Sequence, residues 1–133
     1  MLFYRLIASL FLLLLCAPLR AEPFTGNTIL QACESENPVG VESGFCIGFI
    51  LGSVESMKWG ALVGVVASSS NKLEPDKFDI LSSVALGFCI PSAVENGQVV
   101  DIVVRYLTAN PEIRHESART LVQSALQNSF PCE

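Results

Sequence analysis

The apolar residues in the last third of the chain recur with the period of an α-helix. Between 96 and 109 they occupy positions i, i+3, i+4, i+7 and i+8, namely Val99, Ile102, Val103, Tyr106 and Leu107. Asn110 and Pro111 then supply an N-cap and a first-turn proline for a new helix. The residues expected on its buried side are Ala118, Leu121, Val122, Ala125 and Leu126. The pattern therefore predicts two consecutive amphipathic helices.

The earlier part of the chain predicts three further helices. Thr25 or Asn27 caps a short first helix that runs through Cys33, and a turn rich in Asn, Pro and Gly leads into a long second helix over 41–68. A third helix covers 78–86. Strand signals are weak, since the helical period fits the pattern better. We therefore expect an all-α fold, a single compact bundle of about five helices.

The long second helix has a small residue at every fourth position, in the order Gly44, Gly48, Gly52, Ser56, Gly60 and Gly64. Each interior Gly costs about 1 kcal/mol relative to Ala, so close packing has to offset that loss. We interpret this stripe as a packing seam within the chain, with a homodimer seam as the alternative. Glu55 and Lys58 interrupt the apolar run, which favours a helix in water over a dimerising membrane span.

The first 21 residues have the features of a cleaved secretory signal peptide. Arg5 gives the positive charge, residues 6–15 form an apolar run, and a cleavage site ends at Ala21. The run is shorter than the roughly 20 apolar residues that a membrane-spanning helix needs. Cleavage leaves residues 22–133, which is enough for one domain, and we expect no stable membrane association of that domain.

Signal cleavage also leaves an even number of cysteines: Cys33, Cys46, Cys89 and Cys132. In a short exported chain this predicts two disulfides. We favour Cys33–Cys46, which ties the first helix to the second, and Cys89–Cys132, which clamps the last two helices. The repeated sequence Gly-Phe-Cys-Ile at 44–47 and 87–90 leaves a nested alternative open, Cys46–Cys89 with Cys33–Cys132.

The charge balance excludes some classes of partner. The whole chain has a formal net charge of −5, and removal of Arg5 and Arg20 leaves 6 basic residues against 13 acidic ones, a net charge of −7. A protein this acidic is poorly suited to nucleic acid or to anionic lipid. A basic protein partner remains compatible with the composition.

Few residues are suited to chemistry. The one histidine, His115, has Glu112 and Glu116 nearby, but a metal site would need further ligands and catalysis a nucleophile beside it. We interpret His115 as a surface residue. No Cys-x-x-Cys and no glycine-rich phosphate loop is present, and the single Trp59 is expected to be a partly buried packing residue. The sequence predicts neither an enzyme nor a metal or cofactor site.

These residues resemble the Rap/Tai-type immunity proteins of bacterial type VI secretion over about 29–132. The matching segments are, in order, Cys46-Ile47-Gly48-Phe49-Ile50-Leu51-Gly52, Cys89-Ile90-Pro91, Val94, Gln98, Val103-Val104-Arg105-Tyr106-Leu107, Asn110-Pro111-Glu112, Arg114, Ala118, Leu121-Val122, Ala125-Leu126 and Pro131-Cys132. Glu55 stands roughly where such proteins often have an acidic residue. Asn110 stands where they often have His, and the stretch 57–88 shows little match.

The resemblance implies a small all-α periplasmic protein, often dimeric, that binds a toxic effector and blocks it sterically. The effector is typically a peptidoglycan amidase. The alternative is a small exported disulfide-bonded helical carrier, or a protein that interacts with envelope components.

The poorly matched polar stretch before the third helix is our hypothesis for the effector contact region. It is expected to be exposed, and it differs from the framework that the family shares. Its candidate contact residues are Ser68, Ser69, Ser70, Asn71, Lys72, Glu74, Asp76 and Asp79.

Overall fold

The computed structural model describes residues 24–37, 39–68, 74 and 77–132. Five α-helices lie within these ranges: α1 (Gly26–Cys33), α2 (Val41–Ser68), α3 (Phe78–Leu86), α4 (Asn96–Ala109) and α5 (Ala118–Ser129). A single 3-10 turn stands between α4 and α5. The expected all-α bundle is confirmed. The expected signal peptide at 1–21 lies outside the described residues.

The core lies where α1, α4 and α5 meet the first half of α2. The largest fully buried side chains are Phe88, Ile29, Ile50, Leu107, Leu121, Leu126, Val103 and Val122. Every residue that was expected on the buried side of α5 is buried. On α4, Val99, Val103 and Leu107 are buried, while Ile102 and Tyr106 are half-buried against the core. Each large apolar side chain contributes about 1.5–3 kcal/mol on burial, so these residues stabilise the described bundle.

The last helix begins at Ala118, later than the expected start at Pro111, and that boundary was wrong. The carbonyl oxygens of Arg114 and Glu116 accept hydrogen bonds from two backbone N–H groups at the start of α1, at 3.0 and 3.1 Å. The Arg114 guanidinium also donates to the carbonyl oxygens of Leu107 and Thr108 at the end of α4, at 2.6 and 2.8 Å. Contacts to α1 and α4 therefore replace the helical pattern through this turn.

Both favoured disulfides are present, and the nested alternative is wrong. Cys33–Cys46 joins the end of α1 to the start of α2, with the Cα atoms 5.1 Å apart. Cys89–Cys132 joins the segment after α3 to the end of the chain, with the Cα atoms 5.0 Å apart. Loops of 13 and 43 residues correspond to about 3 and about 4 kcal/mol in the chain-entropy model.

The small-residue stripe is not a packing seam within the chain. A Cβ atom built at Gly44, Gly48, Gly52, Gly60 or Gly64 would meet nothing within 4 Å. Residues four apart on an α-helix are displaced by about 40° around its axis, so the stripe winds across the solvent side of α2 while other residues make the core contacts. Helix α2 is continuous through Gly60.

Helix α2 is long and apolar enough to cross a membrane, judged by length and composition. Only 17% of its most apolar 18-residue window is buried against the rest of the chain. Its buried residues are Cys46, Ile50, Ser53, Val54 and Leu62. Much of the apolar surface of α2 is therefore available for contacts outside the described bundle.

Gly64→Ala is expected to raise the free energy of unfolding by about 1 kcal/mol, because alanine is the better helix former and its Cβ meets open space. Gly87→Ala is the matched control. Gly87 has φ of +76° and Gln127 Nε2 lies 3.1 Å from the Cβ position, so stability should fall by about 1–2 kcal/mol. Chemical denaturation measures both changes. Equal losses for the two variants would contradict the open placement of the stripe.

Candidate partner-binding surface

Three of the eight candidate contact residues lie in the described part of the chain. Ser68 ends α2 and its hydroxyl donates to the carbonyl oxygen of Val65 at 2.9 Å. Glu74 is exposed, and its carboxylate lies 2.9 Å from the ammonium group of Lys77. Asp79, in the first turn of α3, forms an ion pair with Lys58 of α2. The remaining candidates fall outside the described residues: Ser69, Ser70, Asn71, Lys72 and Asp76. The contact region as a whole stays a prediction.

The ion pair between Lys58 and Asp79 ties the start of α3 to the middle of α2. The Lys58 side chain is mostly covered, with 23% of its surface exposed, whereas Asp79 is 77% exposed. Exposed ion pairs contribute about 0.2–1 kcal/mol. The pair therefore orients α3 along α2 more than it stabilises the fold, and it leaves a carboxylate at the surface.

One groove runs from α2 across the 90–94 segment to the start of α4, and it is named here the α2–α4 groove. Its volume is about 430 Å³. Apolar side chains lie beside charged and polar groups in its lining, which comprises Leu51, Val54, Glu55, Lys58, Asp79, Ile90, Ser92, Val94, Asn96 and Val99. Within the described residues, the Glu55 carboxylate has no ion pair or hydrogen bond partner.

A second groove lies between α2 and α3 and is named here the α2–α3 groove. Its volume is about 320 Å³, and its lining comprises Glu55, Lys58, Trp59, Leu62, Phe78, Asp79 and Ser82. Glu55, Lys58 and Asp79 border both grooves. The ion pair therefore stands between two adjoining depressions, with two carboxylates and one ammonium group at the shared border.

Trp59 is 69% exposed, so its interpretation as a partly buried packing residue is wrong. It lines the α2–α3 groove together with Lys58 and Leu62, and of these three Lys58 forms the ion pair with α3. Exposed tryptophans on protein surfaces often carry a large share of binding energy. Helical spacing could not separate Trp59 from a core residue, because apolar residues surround the whole circumference of α2.

The side of α2 that faces away from the core, named here the outward face, is an apolar surface that the sequence pattern did not reveal. Its large exposed side chains are Val41, Phe45, Trp59, Val63 and Val66. At its N-terminal end the ring of Phe45 lies 5.7 Å from that of Phe24 and 6.1 Å from that of Phe49, measured between centroids. The best available signal was the very high apolar content of α2, because a soluble helix that is apolar all round is usually buried.

Of the groups that the sequence analysis considered for chemistry, the histidine lies at the surface. His115 is exposed in the turn before α5, as expected of a surface residue. In the part of the chain that the structure describes, no group of three His, Cys, Asp or Glu side chains is placed to hold a metal ion. The α2–α3 groove contains the aromatic side chains of Trp59 and Phe78, a residue type that is enriched at protein–protein interfaces.

These features define a small all-α module linked by two disulfides. The model of the Rap1a immunity protein family matches residues 25–132, and the chain belongs to this family. No curated protein and no solved structure matches the chain significantly. Family membership confirms the resemblance seen in the sequence.

The family indicates an immunity function against a secreted effector, and so a partner effector that the chain binds. Immunity proteins of this kind are generally non-catalytic. The two disulfides and the family are compatible with an exported protein.

Lys58→Met and Asp79→Asn are each expected to lower the free energy of unfolding by less than about 1 kcal/mol, because the Asp79 carboxylate remains largely solvated. The double variant completes a thermodynamic cycle that isolates their coupling. Urea denaturation at low salt provides the measurement. A coupling above about 2 kcal/mol would show that the pair is buried in solution.

Proposed function

We propose that the chain is a periplasmic immunity protein that binds and sterically inhibits a type VI secretion effector, a peptidoglycan amidase. The observation that carries this proposal is the family match over residues 25–132. Two disulfides support an oxidising compartment, and the signal peptide expected at 1–21 supports export. The acidic composition supports a protein partner and disfavours nucleic acid and anionic membranes.

The proposed action is to cover the effector, without chemistry and without a cofactor. Stable protein complexes typically bury about 800 Å² on each partner. We assign the effector contact to the segment Ser68–Asp79 together with the adjoining α2–α3 groove. The segment ends at Asp79, and Asp79 borders that groove, so a partner that contacts one is positioned to contact the other.

The groove border favours an effector surface that carries a positive charge. Glu55 and Asp79 contribute two carboxylates there, and Lys58 supplies one ammonium group. Lys58 already pairs with Asp79, which leaves the Glu55 charge uncompensated within the described residues. Complementary charge at an interface increases the association rate and the specificity.

The carrier alternative is less well supported. A carrier needs an enclosed apolar cavity, since small-molecule pockets bury most of their ligand. Both grooves beside α2 instead include charged side chains in their lining.

We also propose that the protein forms a homodimer, as the resemblance implies.

The test uses an exported amidase encoded by the neighbouring gene, mixed with the purified disulfide-bonded chain 22–133. Calorimetry measures affinity, and the clearing of purified peptidoglycan measures inhibition. Asp79→Lys is expected to weaken binding at least tenfold, since it places a positive charge opposite a positive effector surface. Asp101→Lys is the matched control, because Asp101 is exposed but lines neither groove. Equal affinity of the two variants would exclude the α2–α3 groove as the contact.

Alanine substitution of Ser69, Ser70, Asn71 and Lys72 together is expected to weaken effector binding as well. The helical circular-dichroism signal should be retained, because none of the substituted residues belongs to the described helices, which end at Ser68 and resume at Phe78. Full inhibition by this variant would remove the segment from the interface. Failure of the wild-type chain to bind the amidase would contradict the amidase as the partner.

A further inference from the structure

Asn96 and Gly97 are the first two residues of α4, and they form the one Asn-Gly dipeptide in the sequence. Both residues are exposed. When glycine follows asparagine, its backbone nitrogen can attack the side-chain amide carbon, because no Cβ hinders the backbone rotation that ring closure needs. The amide nitrogen then leaves as ammonia, and the asparagine becomes an acid. The dipeptide is therefore a candidate site of covalent modification.

The nitrogen that would attack is free of hydrogen bonds. Within the described residues, the N–H groups of Gln98 and Val99 both donate to the carbonyl oxygen of Glu95, at 3.0 and 3.2 Å, whereas the N–H group of Gly97 has no partner. It is one of the donors that the start of a helix leaves unpaired. A Cβ atom built at Gly97 would meet nothing within 4 Å, so solvent reaches this nitrogen.

The other asparagines in the described ranges lack this combination. Asn37 and Asn110 precede proline, which has no N–H group. The N–H group that follows Asn27 donates to a threonine hydroxyl oxygen at 3.4 Å. Asn128 lies in the last turn of α5, where the backbone N–H groups of an α-helix are paired. Sequence and structure therefore both distinguish Asn96.

We propose that Asn96 is a site of self-deamidation, in which the backbone nitrogen of Gly97 closes a ring on the Asn96 side chain. A bond forms between this nitrogen and the Cγ atom, and the proton of the nitrogen passes to a base in the solvent. The bond from Cγ to the side-chain nitrogen breaks, and that nitrogen takes a proton from water and leaves as ammonia. Water then opens the ring at either of its carbonyl carbons, which gives aspartate or isoaspartate. The net reaction consumes one water molecule and releases one ammonia molecule.

The capping contacts of α4 slow this reaction. The Glu95 N–H group donates to the Gln98 side-chain oxygen Oε1 at 2.8 Å, and such a contact closes the first turn of a helix. The ring includes the Cα–C bond of Asn96, so its closure needs a backbone ψ far from the helical value. The rate is therefore set by how often the first turn opens, which is a local event that does not require global unfolding.

The two products differ in their effect on α4. Aspartate places a negative charge in the first turn, where the helix dipole favours it. Isoaspartate adds one backbone atom to the turn and so displaces its capping contacts. Val99 follows three residues later and is 5% exposed, so a disturbed first turn affects the core. Either product adds a carboxylate to the α2–α4 groove, because Asn96 belongs to its lining.

The test follows the amide of Asn96 in the purified disulfide-bonded chain 22–133 during incubation in mildly alkaline buffer. Trypsin cleavage after Lys77 and Arg105 releases the peptide 78–105, in which Asn96 is the only asparagine. Mass spectrometry is expected to detect acid in this peptide earlier than at any other asparagine, and a protein isoaspartate methyltransferase with a labelled methyl donor detects the isoaspartate. The reduced chain in urea should convert at least about tenfold faster, because no first turn has to open.

Two variants separate the chemistry from its control by the helix. Gly97→Ala should slow the conversion at least about tenfold in both the folded and the unfolded chain, because the added Cβ hinders ring closure, and its open surroundings leave the fold intact. Gln98→Ala should accelerate the conversion about threefold in the folded chain, because it removes a capping contact, and should not change the rate in urea. Thr108→Ala is the matched control. It removes a side-chain hydrogen bond at the other end of α4 and should change neither rate.

Four outcomes would overturn the proposal: a folded chain whose peptide 78–105 keeps its amide while the unfolded chain loses it, acid that forms first at another asparagine, equal rates for the wild type and Gly97→Ala, or a folded chain whose rate Gln98→Ala leaves unchanged. Circular dichroism confirms that each variant is folded. Asn96 does not line the α2–α3 groove, and the reaction requires no effector. The result is therefore independent of the proposed immunity function.

Discussion

Helix α2 carries more apolar surface than the rest of the described chain covers. Its core contacts run through Cys46, Ile50, Val54 and Leu62. Apolar residues nevertheless continue around its circumference, so burial of one side leaves another exposed. Helix α3 covers one flank and is oriented there by an ion pair. The grooves and the exposed Trp59 all follow from this excess of apolar surface.

A second set of contacts joins the end of α3 and the residues after it to α5 and to the C-terminal segment. Phe88 is fully buried, and the adjacent Cys89 N–H donates to the carbonyl oxygen of Phe130 at 2.8 Å. The amide groups of Gln123 and Gln127 on α5 both donate to the carbonyl oxygen of Leu86 at the end of α3, at 3.2 and 2.7 Å. These bonds fix the end of α3, while its start borders the groove assigned to the effector.

The sequence predicted those features that depend on local pattern. The capping residue Thr25, the length of α2, the buried residues of α5 and the favoured disulfide pairs all emerged from spacing and residue type. The start of α5 was missed because hydrogen bonds to α1, far away in sequence, determine it. The glycine stripe and Trp59 were misassigned for a related reason. Spacing identifies which residues share a helical face, but only the packing of other helices determines which face is covered.

The disulfide connectivity has a consequence for the order of assembly. Each disulfide joins two cysteines that are consecutive along the described chain: Cys33 pairs with Cys46, and Cys89 pairs with Cys132. In a chain that crosses a membrane from its N-terminus, the first pair is complete before Cys89 emerges, and the second waits for Cys132. Oxidation in order of emergence thus gives the native bonds directly, whereas a nested arrangement would require thiol–disulfide exchange. A chain whose last residues have not yet been exported therefore retains Cys89 as a free thiol until Cys132 arrives.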